Sequence, residues 1–199
     1  MEQEPSNSLT LEGFLELPET QPPQEYLKGQ TIPKPTPEGE RQIIQEELIA
    51  VINQIVKPKQ IACAFPARRC TFGDCSIVPD ISVFIESRIP HDENGELANT
   101  FPLFPDWTIE VLSGDQSATK VMKNILYSLK QGMEMGWLID PNERTVFIFR
   151  TQETIEVFDE PESMLPIPSF ASNVYLTVKE LFAWLWEEQN ISTSGIIYG

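Results

Sequence analysis

Positive charge is scarce in this chain: 14 Lys and Arg stand against 30 Asp and Glu, leaving −16 at pH 7. Such a field repels nucleic acid at long range, whereas most phosphate-binding domains are basic. Histidine is scarcer still, with only His91. There is no Gly-x-Ser-x-Gly elbow, no Cys-His pair at convincing positions and no glycine-rich phosphate loop, which removes most nucleophilic and nucleotide-binding chemistries. Three cysteines, Cys63, Cys70 and Cys75, are an odd number in a chain without an export signal, so free thiols are expected. A structural zinc would want four ligands, and His91 lies in a polar loop without ligand spacing. No apolar run approaches the ~20 residues needed to cross a bilayer, and the start Met1-Glu2-Gln3-Glu4-Pro5 lacks a signal-peptide pattern. The expectation is a cytoplasmic protein.

With 41% hydrophobic content the chain has the means to bury a full core. Residues 1–8 read as a disordered start, 9–188 as one domain and 189–199 as a frayed tail. Short helical periodicity marks 10–17, and 26–33 reads as an extended strand broken at Gly29. Pro37 to Val56 has the apolar spacing of a long amphipathic helix through Ile44, Leu48 and Ile52. Strands are expected over 61–65, 76–85, 106–112, 136–139, 145–149 and 154–158, with a closing helix over 178–187. No internal repeat is evident.

Two acids stand out because they interrupt apolar, β-branched runs: Asp80 in Val78-Pro79-Asp80-Ile81-Ser82-Val83-Phe84 and Glu110 in Trp107-Thr108-Ile109-Glu110-Val111-Leu112-Ser113. A charge in a buried strand costs several kcal/mol unless it is paired, hydrogen-bonded or metal-bound. Alternation puts Asp80 on one face with Ser82 and Phe84, and Glu110 on one face with Thr108 and Leu112. If the two strands pair across the polar loop from Ser87 to Thr100, the carboxylates converge on one hard cation. The alternative is two sheet-end acids satisfied by backbone or water.

A helix is expected from Asp115, as its cap, to Gly132, with Val121, Ile125 and Leu129 on one stripe and Lys120, Lys123, Asn124 and Tyr127 on the other. Carboxylates, a divalent metal and a lysine together suit phosphodiester hydrolysis, with metal-activated water as nucleophile and the ammonium neutralising developing charge. Lys120 or Lys123 is the candidate, against the plainer reading of a solvated helix face. Tyr127 and Trp137 read as packing residues, and Asp106 as a turn residue.

The acidic excess sits at the two ends. Residues 1–48 and 151–199 each carry −7, while 57–88 and 115–150 together sum to +3. Arg68, Arg69, Lys120, Lys123 and Lys130 line a local groove for nucleic acid or are simply solvated.

The ordered series Thr10-Leu11-Glu12-Gly13-Phe14-Leu15, Glu25-Tyr26, Lys34-Pro35-Thr36-Pro37, Val78-Pro79-Asp80, Glu110-Val111-Leu112-Ser113 and Gly136-Trp137-Leu138-Ile139-Asp140-Pro141 resembles the Uma-two (Uma2) family of restriction-endonuclease-like proteins. The resemblance runs from about Leu9 to about Trp184. It implies a PD-(D/E)XK nuclease core, an α/β (α+β) fold with a mixed central sheet flanked by helices. It also implies Mg²⁺ or Mn²⁺ at Asp80 and Glu110, DNA as substrate and a homodimer. Glu25 and Glu47 match acids common in the family, as a further ligand or as structure. Two departures accompany it. Leu112 stands two residues after Glu110 instead of lysine, and the family's common helix lysine falls at Asn124; Arg41 stands where a histidine is frequent. Both leave open a second reading, a catalytically inactive nuclease-fold module acting in protein binding.

Overall fold

The computed structural model of the chain describes residues 9–114, 116–151 and 154–193, with side chains described through Trp186. The expected disordered start 1–8, Asp115 and the end of the expected frayed tail lie outside the described residues, and the helix cap expected at Asp115 is Ser117 instead.

The helices are α1 (Leu11–Leu15), α2 (Glu40–Val56), α3 (Ala118–Lys130) and α4 (Val178–Thr193), and the strands run in chain order. They are β1 (Gln24–Leu27), β2 (Gln30–Pro33), β3 (Ala62–Pro66), β4 (Cys70–Phe72), β5 (Cys75–Ile77), β6 (Ile81–Ile85), β7 (Trp107–Val111), β8 (Met135–Asp140), β9 (Thr145–Arg150) and β10 (Ile155–Phe158). Six strands form a mixed sheet ordered β10-β9-β8-β7-β6-β3, and four form an antiparallel sheet ordered β2-β1-β5-β4.

Strands β7 and β8 are parallel, which requires a crossover, and α3 supplies it. The apolar stripe expected on α3 faces the sheet: Val121, Ile125 and Leu129 pack with Leu138 and Phe149. Gly136 makes this close approach possible, since a Cβ there would lie 2.3 Å from the Ile125 side chain. On the opposite sheet face, Ile44, Leu48 and Ile52 of α2 and Leu181 and Leu185 of α4 bury against Ile81, Val83, Ile109, Val111 and Trp137. This is the larger core, and alternation along β7 keeps Thr108 and Glu110 out of it.

Three expectations need correction. The strand expected over 76–85 is two strands in different sheets, β5 and β6. Pro79, which lacks an N–H and cannot donate to a ladder, sits in the break between them. The long helix begins at Glu40, not Pro37, because Gly39 takes a non-helical backbone at φ 55°. The closing helix runs on to Thr193, past its expected end at 187. The break at Gly29 is a tight hairpin turn, with Lys28 at φ 49° and Gly29 at φ 83°, a conformation that suits two-residue hairpins. No helix of the described residues is long and apolar enough to cross a membrane.

Candidate active site

Strands β6 and β7 pair antiparallel with Ile81 opposite Ile109, Ser82 opposite Thr108 and Val83 opposite Trp107. One step further along that register, Asp80 faces Glu110. The step is sealed by a hydrogen bond from the Val111 N–H to Asp80 Oδ2, 2.8 Å. The two acids therefore meet on one face, as their strand parity requires.

Lys34 lies between them. Its Nζ is 3.0 Å from Asp80 Oδ1 and 2.5 Å from Glu110 Oε2. The hairpin of β1 and β2 delivers it: the Lys34 N–H donates to the Pro23 carbonyl at 2.8 Å, continuing the pairing past the end of β2. Pro35 biases Lys34 toward extended backbone. From the first turn of α2, Arg41 closes the other side of Asp80, with Nε donating to Oδ2 at 3.1 Å and Nη2 paired with Oδ1. Glu25 of β1 joins the cluster, its Oε1 accepting from the Val78 N–H at 2.8 Å.

Exposure is 2% for Asp80, 4% for Glu110, 6% for Glu25, 6% for Lys34 and 3% for Arg41, so water screens these charges little. Three acids and two bases leave the cluster one negative charge in excess when all are ionised. Burial works against the Asp80 carboxylate, but Lys34 and Arg41 outweigh it and hold its pKa below the usual range. Burial pushes Glu110 up to about 8, with Asp80 and Glu25 adding to the rise against the pull of Lys34. Burial likewise raises Glu25. For Lys34 burial acts to lower the pKa, yet Asp80, Glu110 and Glu25 overcome it and keep the side chain an ammonium.

The structure brings Asp80, Glu110 and Glu25 together and leaves the other expected site residues apart. Lys120 and Lys123 are exposed on α3, and among the described residues neither forms an ion pair. Lys123 instead borders a surface depression with Lys28, Tyr127 and Lys130. Asn124 is half-buried, its carbonyl accepting from Ser128 Oγ at 3.0 Å. Glu47 is exposed on the outer side of α2. Asp106 is a structural residue, accepting from the Ile85 N–H at 2.8 Å and paired with Arg88. Cys63, Cys70 and Cys75 are free and buried, and burial pushes the thiols of Cys70 and Cys75 up to about 12.

Sequence reasoning missed Lys34 as the lysine that touches both acids, and Arg41 as the clamp on Asp80. One signal for Arg41 was available: the first turn of a helix favours acidic side chains, so a cation there implies a carboxylate nearby. Lys34 offered less, a lone lysine between two prolines at the end of a hairpin.

A divalent ion fits the donors present. Among the described residues no three Asp, Glu, His or Cys side chains form a cage by themselves. Small hard ions such as Mg²⁺ are commonly held by one or two carboxylates, with water and substrate oxygens completing the shell. Asp80 and Glu110 supply those two carboxylates, and they already hold a cation, the Lys34 ammonium, between them.

The family model of Uma2, described as "Putative restriction endonuclease", matches residues 11–179. A crystal structure from Anabaena variabilis, described as a putative nuclease belonging to DUF820, superposes with a TM-score of 0.86 at 61% sequence identity. The match covers 88% of this chain and 98% of that one. No curated protein matches significantly. With the family model spanning most of its length, the chain belongs to the Uma2 family.

Proposed function

We propose that this chain is a metal-dependent endonuclease that hydrolyses phosphodiester bonds in DNA, with Asp80, Glu110 and Lys34 at its reaction centre. The observation that carries this reading is the buried ammonium of Lys34 within 3.0 Å of one carboxylate and 2.5 Å of another. Asp80 and Glu110 are the residues that would hold Mg²⁺ or Mn²⁺. When bound, such an ion supplies Lewis acidity toward the phosphoryl oxygens and makes the attacking water more acidic.

The chain's own residues divide the remaining work. Arg41 and the Val111 N–H fix the Asp80 carboxylate in one orientation, so that no reorganisation is needed as charge develops. Lys34 Nζ sets a positive charge against the negative charge that builds on the phosphoryl oxygens. This assigns to Lys34 the part that the sequence offered to Lys120 or Lys123; its contact with both acids and the exposure of the α3 lysines support the choice. Glu25, buried beside the pair with its pKa raised by burial, is a carboxylate placed to take up a proton. Two copies of the chain would offer one such centre to each strand of a duplex.

The test is cleavage of plasmid, single-stranded and structured DNA with Mg²⁺ or Mn²⁺. Cleavage by the wild type that is lost in Asp80→Ala and Glu110→Ala supports the reading. A wild type inert on all three substrates with either metal overturns it in favour of the protein-binding module.

A further inference from the structure

A cavity of about 400 Å³ opens beside Asp80 and Lys34, which line it with Glu19, Gln45, Arg68 and Asn99 among others. Its size falls within the roughly 300–1,000 Å³ common for ligand pockets. Two of its lining side chains have unused hydrogen-bond donors. Gln45, 6% exposed on α2, has an amide nitrogen without a partner among the described residues. Arg68, half-buried between β3 and β4, has an Nε in the same condition.

Arg68 is unusual in a second way. Arg41, Arg69, Arg88, Arg144 and Arg150 each pair with a carboxylate. Arg68 is the one arginine that does not, among the described residues, although acids outnumber bases two to one in this chain. Its guanidinium is held by rings instead, 5.5 Å from the Phe65 centroid and 5.1 Å from that of Phe101. Its Nη1 donates to the Asn99 carbonyl at 3.3 Å. A guanidinium oriented by two aromatic faces and left without a carboxylate is complementary to an incoming anion, and planar guanidinium donors match phosphate oxygens well.

We infer that this cavity seats a backbone phosphate of a nucleic-acid strand, with Arg68 and Gln45 as its protein contacts next to the centre formed by Asp80, Glu110 and Lys34. The inference deepens the nuclease reading and rests on it. A phosphodiester accepts hydrogen bonds and cannot donate them, which suits two donors without partners. The strand laid across this cavity would pass within reach of Lys34, which lines the same cavity. The acidic shell then acts as a filter: long-range repulsion weakens casual binding, and affinity depends on few cations.

The test is fluorescence anisotropy of a dye-labelled single-stranded oligonucleotide and of its duplex. It is run on the full chain with EDTA present so that nothing is cut, over a range of salt concentrations. Arg68→Met keeps the packed stem and removes the charge; it is expected to weaken binding about tenfold or more and to reduce the salt slope by about one. Arg68→Lys should restore part of the affinity, Gln45→Leu should weaken binding severalfold with the slope unchanged, and Arg150→Met should bind as wild type. Melting temperatures identify any variant that fails to fold, and Gln45→Leu and Arg68→Lys decide the matter if Arg68→Met does not. Wild-type affinity in both Arg68→Met and Gln45→Leu overturns the phosphate seat while leaving the nuclease reading intact, provided the wild type cuts DNA. A wild type that neither binds nor cuts any nucleic acid overturns both.

Discussion

Two groups of lysines in this molecule look alike in sequence and differ in every physical respect. Lys120, Lys123 and Lys130 lie on the outer stripe of α3, exposed to solvent. Lys34 is 6% exposed and lies between two carboxylates. A solvated ammonium spreads its charge into water, where an ion pair is worth about 0–1 kcal/mol. A buried one is bound to its partners, and removing any member strands an uncompensated charge at about 3–5 kcal/mol. Proximity in sequence to Glu110 favoured the helix lysines, but burial and contact favour Lys34. Only a charge shielded from water can stabilise a reacting phosphate strongly.

The largest effect should follow from breaking the buried group at its most connected member. Asp80→Ala leaves Arg41 and Lys34 without their shared carboxylate and is expected to cost about 3–5 kcal/mol in urea unfolding, with no cleavage remaining. Lys34→Met, a substitution close in volume, should lower cleavage by about 10²–10³-fold, the scale of removing one charge-stabilising donor. It should do so under conditions where circular dichroism shows a folded chain. The double substitution Lys120→Met with Lys123→Met should leave cleavage within about threefold and stability within about 0.5 kcal/mol, as for solvated surface positions. The reverse ranking, with the helix lysines dominant, would contradict the role proposed for Lys34 and favour α3 as the source of that charge.

A subtler contrast lies in pH. Glu110 is raised to about 8 from an ordinary value of 4.5, so between those values the folded chain holds a proton that the unfolded chain has released. Stability from this group is fully present below about pH 4.5 and is lost as pH rises toward 8. Glu110→Gln removes that titration. The difference in melting temperature between Glu110→Gln and wild type should therefore increase from pH 5 to pH 8. A difference that stays constant, or moves the other way, would show that Lys34 keeps Glu110 ionised throughout.

Much of this arrangement was legible in the chain. The alternation in β6 and β7 placed Asp80 and Glu110 on one face, and the register, Ser82 opposite Thr108, bears that out. The apolar stripes of α2 and α3 identified their buried sides, and Val121, Ile125 and Leu129 do pack inward. The split of 76–85 into β5 and β6 was harder to see, because the apolar run continues through Val78 and only Pro79 interrupts the ladder. The convergence of Lys34 and Arg41 on Asp80 was hidden for a deeper reason. Periodicity reports which face a side chain takes within its own element, and nothing local encodes which distant element lies against it. Lys34 and Glu110 are 76 residues apart in the chain.

The most direct test of the acid pair is calorimetric titration of Mn²⁺ into the wild type and into Asp80→Asn, a variant of the same shape that removes the carboxylate charge. Saturable binding to the wild type that disappears in Asp80→Asn, while the variant stays folded, is the expected result. Binding of equal strength in both, or none in the wild type, would contradict it.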